Sequence, residues 1–511
     1  MISVEICTAA VINIASDAIY MKIAQNDEND EIKEIESLES PVNIGKEVFT
    51  DGKISYENVE NICAILKNYR KKITEYGIKD VITIATTALR EAQNSRFVAE
   101  QIKSRTKFDI EILDDTEEKT IIYKEMIRFI EKNPKYKSSN IIMSYIGTGS
   151  LGIAYFSQGN ILFNHNIKVG TLKLAEILGE LNTTTNSYYK IVQEYLSSFV
   201  VTLNNSFRNE KIDYFIAAGR EIRFLSKIIN SEETDISLDD FNKFLNDIKN
   251  KTINQITLTH KIPSERSEIL LASMGIYSML LKISGVENIG ILKTGLMDAL
   301  LFNDIYSEKA NENSELFVEN IVKSAYILGE KYHFDTEHAV NTEKYALKIF
   351  SEIQNVHKLS GRDRLLLRIS AILHDVGKFI NLKSHSFHSY NVIRASDLPG
   401  LNIRDIEIIS NVARLHSKSV ININEDALRL LTNKERIKIA KILAILRLAD
   451  ALDRSHSGKV KDIRTHLSSG NIVLDILSED DLTLEQWTFN KKSEFFEEVF
   501  GMKISMKKTL E

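Results

Sequence analysis

The sequence predicts a multidomain protein: an α/β architecture first, an all-α region next, and a small α+β tail. Length is one reason. At roughly 150 residues per domain, 511 residues make three or four domains. Pattern is the second: strand-like and helix-like segments alternate as far as about residue 305, which argues an α/β architecture. The third is a change of texture. From about Asn311 to about residue 455 helical periodicity dominates and strand patterns vanish. With only 4 prolines, no Pro-rich linker marks the joints. The pattern changes place the domains at 1–125, 126–308, 309–468 and 469–511.

In chain order, residues 4–6, 11–14 and 18–24 read as strands. The acidic stretch 27–36, with Ile32 and Ile35, reads as an edge strand with a solvated face. Val59, Ile62, Cys63, Leu66, Tyr69 and Ile73 recur every three or four residues, which predicts a helix over 56–76, and Gly77 stands where a helix C-terminal glycine belongs. Residues 81–85 form a strand, 87–104 are mostly helical, 110–113 form a strand, and a helix follows from about Glu117. A second strand–helix series opens at Ile141 (IIMSYIGTGSLGIAYF); it is similar in design to the first but carries no residue-level repeat. In the helical region Leu366, Ile369, Leu373 and Val376 share one apolar face. After Ser469, residues 471–476 read as a strand and 485–500 as a final helix, with Trp487 expected in the core of the tail.

Hydrophobic residues make up 43% and charged residues 27%, the proportions of a soluble globular protein. Lys+Arg is 65 against 71 Asp+Glu, a net charge of -6, which excludes a strongly basic nucleic-acid binder by bulk charge, though not a local basic groove, and no DNA partner is expected. No apolar run of the roughly 18–20 residues of a membrane span is read. The start carries Glu5 and no cationic n-region, unlike a signal peptide. No membrane association and a cytoplasmic location are therefore expected. Cys7 and Cys63 have apolar neighbours and read as buried free thiols in a reducing compartment. A homodimer is the one assembly considered.

The strongest chemical signal lies in the helical region. His338 opens one helix, His374 and Asp375 sit together on another, and Asp450 lies on a third. Imidazoles with carboxylates make a mixed N/O ligand set that suits Mn, Fe, Ni or Zn and, less well, Mg. His374 and Asp375 are expected to ride one helix, which stiffens the pair. In LHDVGKF, Gly377 allows close approach, and Lys378, one helical turn from His374, is placed to hold a phosphate oxygen as a point charge. His385, His388 and His416 could supply a second metal or contact phosphate. A lone His-Asp pair is common by chance; four such residues in an all-helical region are not. Two weaker signals lie earlier. In TIATTALREAQN, Arg90 either binds phosphate or pairs with Glu91 or another carboxylate. In YIGTGS, the turn of Gly147, Thr148, Gly149 and Ser150 offers backbone N–H groups that can cradle an anion.

The order H…HD…D of His338, His374, Asp375 and Asp450 resembles the HD-domain superfamily of metal-dependent phosphohydrolases, as do SFHSYNVI, RLHSK and LRLADALDRSH. Over essentially its whole length the chain resembles the exopolyphosphatase / guanosine pentaphosphate (pppGpp) phosphohydrolase family. ATTALREAQN (family pattern ATSALREAxN) and the tail GNIVLDILSEDDLTLEQWTFNKKSEFFEEVFG carry this likeness. The resemblance implies two actin-like α/β domains of the sugar kinase/chaperone ATPase, ribonuclease H-like type, then an HD-type helical domain and a small C-terminal domain. It implies removal of terminal phosphate from polyphosphate or pppGpp, with Mg²⁺ in the cleft between the first two domains. It implies Arg90 as the phosphate-binding arginine and Glu118, in DTEEK, as the water-activating glutamate. Ser16 and Gly147, Thr148, Gly149 and Ser150 fall in the implied phosphate loops.

The chain departs from that pattern in its metal-binding loops. The family's DIGSNS is Asn13-Ile14-Ala15-Ser16-Asp17-Ala18 here, and DIGGGSTE is Tyr145-Ile146-Gly147-Thr148-Gly149-Ser150-Leu151-Gly152. GTGGT is Ala217-Ala218-Gly219-Arg220-Glu221, and GLREG is Gly295-Leu296-Met297-Asp298-Ala299. Mg²⁺ needs one or two carboxylates beside the substrate phosphates, and phosphoryl transfer rests mainly on positioning and charge. Tight Mg²⁺ is therefore not expected in the N-terminal cleft. Metal-dependent hydrolysis of phosphoanhydride or phosphate ester bonds is expected at the HD site. Two alternatives stand beside it. One is ordinary exopolyphosphatase activity in the cleft through Glu118 and Arg90, with Asp17 or Asp298 replacing lost ligands. The other is a cleft that only senses polyphosphate or a phosphorylated guanosine nucleotide.

Overall fold

The computed structural model describes residues 7–27, 32–182, 188–208, 210–229, 234–423, 428–429, 431–468 and 471–509. They divide into two compact units, Met1–Phe317 and Val318–Glu511. The expected joints at 125/126 and 308/309 fall inside continuous helices, Asp115–Lys132 and Ser307–Lys331.

In the first unit, strands β1 (Thr8–Ile14), β2 (Ala18–Asn26), β3 (Ile32–Pro41), β4 (Val81–Ala85) and β5 (Glu111–Ile112) form a sheet in the order β3-β2-β1-β4-β5. The first three form an antiparallel meander, and β4 and β5 add in parallel. Helices supply the crossovers that parallel pairing requires. The Tyr56–Glu75 helix is capped by Ser55 and buries the predicted face from Val59 to Ile73. Gly77 takes φ +70, open to a left-handed turn at no steric cost. β3 is the exposed edge, beginning later than expected, and the strand expected at 4–6 lies outside the described residues.

A second sheet is built from β6 (Ile141–Ile146), β7 (Leu151–Ser157), β8 (Asn160–Ile167), β9 (Tyr214–Ala218), β10 (Asp235–Ser237) and β11 (Asn288–Ile291), in the order β10-β11-β9-β6-β7-β8. Without β10 the order repeats that of the first sheet, so the likeness of the two halves is one of topology. The β1–β2 and β6–β7 turns are equivalent in this scheme, and each half buries its own apolar cluster. One described helix, Ser264–Ser284, has the length and apolarity of a membrane span, contrary to expectation; 83% of that window is buried inside the core.

The second unit carries helices Thr336–Glu352, Gly361–Leu373, His385–Arg394, Ile403–Leu415 and Asn433–Leu452. Asn433–Leu452 is buried from Leu443 to Leu452, which places it at the centre. The chain ends on β12 (Asp462–Ser468), β13 (Asn471–Leu477), helix Thr483–Phe500 and β14 (Ile504–Thr509). Strand pairing thus begins before the expected joint at 468/469, and β12 and β14 are additions to the one strand predicted.

Two side-chain expectations are corrected. Trp487 is 57% exposed, with Lys491 Nζ 3.7 Å from its ring centroid; Phe489 and Phe496 fill the core instead. Cys7 is exposed because it precedes β1, whereas Cys63 is buried; both are free thiols.

Candidate functional site

In the second unit, the ends of three helices and one turn bring the predicted ligands together. His338 stands in the first turn of Thr336–Glu352, whose N-cap Asp335 accepts a hydrogen bond from the His338 N–H (3.1 Å). Asp450 lies near the end of Asn433–Leu452. His374 and Asp375 do not share a helix. His374 is the C-cap of Gly361–Leu373, and Asp375 begins the 3₁₀ turn Val376–Phe379 that carries Lys378. The pair is held by contact instead: a side chain on Gly377 would meet His385 O and Ser389 N, each at 2.2 Å. That is the close approach expected of Gly377.

Ligand atoms of His338, His374 and Asp450 lie within 4.8 Å of one another, as do those of His374, Asp375 and His416. His338 Nε2 is 3.4 Å from Asp450 Oδ1, and His374 Nε2 is 3.5 Å from Asp375 Oδ2. The outer ring nitrogens are committed elsewhere. His374 Nδ1 meets Ala371 O at 2.8 Å and His416 Nδ1 meets Ala413 O at 2.6 Å, so each Nε2 faces inward. His338 Nε2, His374 Nε2 and Asp375 Oδ1 are buried and meet no partner in hydrogen-bonding geometry. Buried polar atoms are almost always paired; the two Nε2 atoms face Asp450 Oδ1 and Asp375 Oδ2 at 3.4 to 3.9 Å, an arrangement that a cation among them would satisfy, whereas Asp375 Oδ1 faces His385 and His416. Imidazole and carboxylate donors suit a divalent transition ion.

The carboxylates favour positive charge at this point, whether a proton on His338 or a cation in its place. Burial opposes charge on His338, yet the Asp450, Asp453 and Asp375 carboxylates hold its pKa up to about 9. Burial works against ionised Asp375 and Asp450, but His374, His416 and Lys378 around the first, and Lys492 with both histidines around the second, keep them well below the usual carboxylate range. His385 Nε2 and His416 Nε2 lie 3.4 and 3.3 Å from Asp375 Oδ1, beside the first ligand group. His388 enters none of the ligand groups among the described residues. Lys378 Nζ is 2.5 Å from Asp375 Oδ2, and its side chain stays 33% exposed.

Three residues were missed by sequence reasoning. Lys492, on the final helix, ion-pairs with Asp450 Oδ2. Asp453 Oδ2 meets His338 Nδ1 at 2.8 Å. His456 stacks on the His338 ring at 3.7 Å between centroids. The last two carried a signal, since Asp450, Asp453 and His456 recur every three residues; nothing local marks Lys492.

In the first unit, a cleft of about 160 Å³ is lined by residues of both halves, among them Asn13, Asp17, Glu118, Tyr145, Arg220 and Arg223. Ser16 Oγ lies 3.0 Å from Thr148 Oγ1, which joins the turns after β1 and β6. Of the readings left open for Arg90, the carboxylate pairing is the one present. Its guanidinium donates to Glu118 Oε2 (3.1 Å), Leu113 O (2.9 Å) and Thr87 Oγ1 (3.1 Å). Tyr145 donates to the other oxygen of Glu118 at 2.8 Å. Both oxygens of the implied water-activating glutamate are thus engaged.

The other positions are similarly occupied. Gly147 N–H, expected to face an anion, donates to Ser150 O (2.9 Å). Gly149 packs on Thr87, where a Cβ would come within 2.1 Å. Ser150 Oγ donates to Asp115 and accepts from buried Lys119 Nζ (2.9 Å). Lys119 also fills the space beside Gly152, where a Cβ would lie 2.7 Å from its Cδ. Asp17 is paired with Arg220, and Asp298 with Lys22 (2.7 Å), so neither rescue carboxylate is unneutralised. Arg223 lines the cleft and, among the described residues, pairs with no carboxylate; it donates to Gly219 O and Lys293 O.

Comparison with known proteins follows the same division. A guanosine-5'-triphosphate,3'-diphosphate pyrophosphatase of Pseudoalteromonas translucida (strain TAC 125) is 18% identical over 411 residues, covering 80% of each chain. The crystal structure of the Aquifex aeolicus Ppx/GppA family member superposes with a TM-score of 0.50 at 19% identity, over 59% of this chain and 99% of that one. An exopolyphosphatase from Cytophaga hutchinsonii ATCC 33406 superposes at 0.51 and 18% identity, over 59% and 98%. These neighbours show the fold, the actin-like α/β type that the resemblance implied. The model for domain III of Ppx/GppA phosphatases matches residues 322–492. The model of the Ppx/GppA phosphatase family itself matches residues 22–308, more than half of the sequence, and the chain belongs to that family.

Proposed function

We propose that the chain is a metal-dependent phosphohydrolase whose hydrolytic centre is an HD-type site of His338, His374, Asp375 and Asp450. The observation that carries this reading is the set of buried, unpartnered ligand atoms, His338 Nε2, His374 Nε2 and Asp375 Oδ1. A divalent ion held there supplies Lewis-acid charge and an acidified water near neutral pH. The chain's own residues do the rest. Asp375 and Asp450 bring the negative charge that a cation requires. Lys378, one-third exposed, can turn from Asp375 to steady a phosphate oxygen. His385 and His416, beside Asp375 Oδ1, are placed to bind a second ion or to pass a proton to the leaving oxygen. The substrate class is the phosphoanhydride of polyphosphate or of a phosphorylated guanosine nucleotide, by analogy with the proteins compared above. Elemental analysis of the wild type, Asp375→Ala and Asp450→Ala tests the reading: metal in the wild type and none in the variants is expected, and equal metal in all three refutes it.

A second reading concerns the first unit. The cleft binds its ligand without hydrolysing it. Arg223 offers a cation, and Asn13 Oδ1, Asp17 Oδ1 and Glu221 Oε2 are buried acceptors with no hydrogen bond. Cation and acceptors together suit a phosphorylated nucleotide, whose hydroxyl and amino groups can donate. Calorimetry with a guanosine nucleotide in the presence of chelator tests it.

A further inference from the structure

Resting on the metal reading above, we infer that Asp453 and His456 are positioning residues that aim His338 at the ion. His338 is held on every side. Its ring Nδ1 lies 2.8 Å from Asp453 Oδ2, and its backbone N–H donates to Asp335 Oδ1. The ring of His456 lies flat on it, 3.7 Å away at 15°. His456 Nδ1 in turn meets Asp335 Oδ2 at 2.7 Å, which closes a loop from His338 through Asp335 and His456 back to His338.

The Asp453 carboxylate is itself fixed. Its Oδ1 accepts from Gly458 N (2.8 Å), and Oδ2 is approached by Asn341 Nδ2 (3.4 Å) and His338; the side chain is 1% exposed. It sits three residues after Asp450, at the end of the same helix. One helix end therefore offers a carboxylate to each nitrogen of His338: Asp450 on the side of the proposed ion, Asp453 on the other. With Nδ1–H bound to Asp453, the neutral ring that would bind an ion carries its lone pair on Nε2, the atom left without a hydrogen bond. A carboxylate behind a histidine ligand sets its tautomer and raises its basicity.

His456 supplies the independent observation. Its φ is +53, a conformation that a bulky residue rarely adopts, and it keeps that conformation while its ring is pinned between Asp335 and His338. The final helix supports the same turn, since buried Glu485 accepts from Ser455 N (3.2 Å). His456 also lies within ligand reach of His338 and Asp375, so the test separates ligating from positioning.

The experiment measures the dissociation constant of Co²⁺ or Mn²⁺ on the full chain by chelator competition, and the visible spectrum of the Co²⁺ form. Variants are Asp453→Ala, Asp453→Asn, His456→Ala and His374→Ala, with melting temperatures as controls. Asp453→Ala is expected to weaken metal binding about 10- to 100-fold. Asp453→Asn, which keeps an acceptor without the charge, should recover part of the loss, and His456→Ala should weaken binding less than Asp453→Ala. The Co²⁺ spectrum should shift in Asp453→Ala even at saturating metal. Wild-type affinity and spectrum in both Asp453 variants overturn the inference alone. Loss of metal in His456→Ala as complete as in His374→Ala makes His456 a ligand and overturns its positioning role. A wild-type chain that holds no metal overturns the metal reading and this inference with it.

Discussion

Around the phosphate-loop turns of the first unit, Glu118 has Arg90 and Tyr145, Asp115 has Lys119, Asp17 has Arg220 and Asp298 has Lys22. In the second unit, Asp375 and Asp450 also have lysines, Lys378 and Lys492, yet His338 Nε2 and His374 Nε2 beside them make no hydrogen bond. The same residue types thus reach two end points. Carboxylates of both units are paired with the protein's own cations, but among the described residues no histidine lines the cleft, whereas two imidazole donors stand beside Asp375 and Asp450. A histidine whose outer nitrogen is tied and whose inner nitrogen is bare is preorganised for one. What separates the two cases is the histidine donors and the nitrogens they leave without a hydrogen bond.

The comparison breaks first on hydrolysis. Asp450→Ala should abolish metal content and lower phosphatase activity at least about 100-fold, since metal charge stabilisation is worth several kcal/mol. Glu118→Gln should leave activity within about 2-fold, because little of the reaction is assigned to the cleft. Steady-state rates for the two variants decide it; the reverse order would return the chemistry to the first unit.

Metal-dependent stability sharpens it next. At about 100 times its dissociation constant, a bound ion adds roughly 2.7 kcal/mol to the unit that holds it. Hydrogen exchange should therefore slow with Mn²⁺ across Thr336–Glu352 and Asn433–Leu452, but not across β1 or β6. Equal protection in both units would erase the contrast.

Restoring a lost family carboxylate is the third test. In Gly152→Glu the new Cβ would meet Tyr123 OH at 2.6 Å and Lys119 Cδ at 2.7 Å. Overpacking of this kind costs about 1–3 kcal/mol, and the midpoint of urea unfolding should fall without a gain in Mg²⁺ affinity. The smallest expected effect is that of Tyr145→Phe. Removing one hydrogen bond to Glu118 should cost about 1 kcal/mol and leave hydrolysis unchanged, read by the same unfolding curve and rate assay.

The four proposed ligands could be picked out by residue type: a His-Asp dipeptide, a histidine at a helix start and an aspartate in an apolar helix. Its geometry was not. His374 and Asp375 looked like one helical turn, but the helix ends at Leu373 and a 3₁₀ turn takes over. The contacts that fix the site join residues far apart in sequence, 115 positions for His338 and Asp453, and no periodicity records them. In the cleft, the missing family carboxylates at Asn13, Tyr145 and Gly152 were visible by comparison. That Lys119 and Arg220 had moved in as neutralising partners depended on packing. The strands β12 and β14 escaped notice because DIRTHLS and ISMKKT carry only two apolar residues each, too few to stand out from a loop. Trp487 misled because size was read as burial, while smaller Phe489 and Phe496 point the right way along the helix.

The ion pair between Lys492 and Asp450 has a consequence in time. Translation delivers His338, His374, Asp375 and Asp450 before it delivers the ammonium that neutralises Asp450, which comes 42 residues later. Until then the nascent helical region holds a buried carboxylate with one cation too few. Such a chain favours either an open fold or the early capture of an ion. If the proposed centre holds an ion, metal supply during synthesis, and not only afterwards, would bear on how much of the protein is finished with it in place.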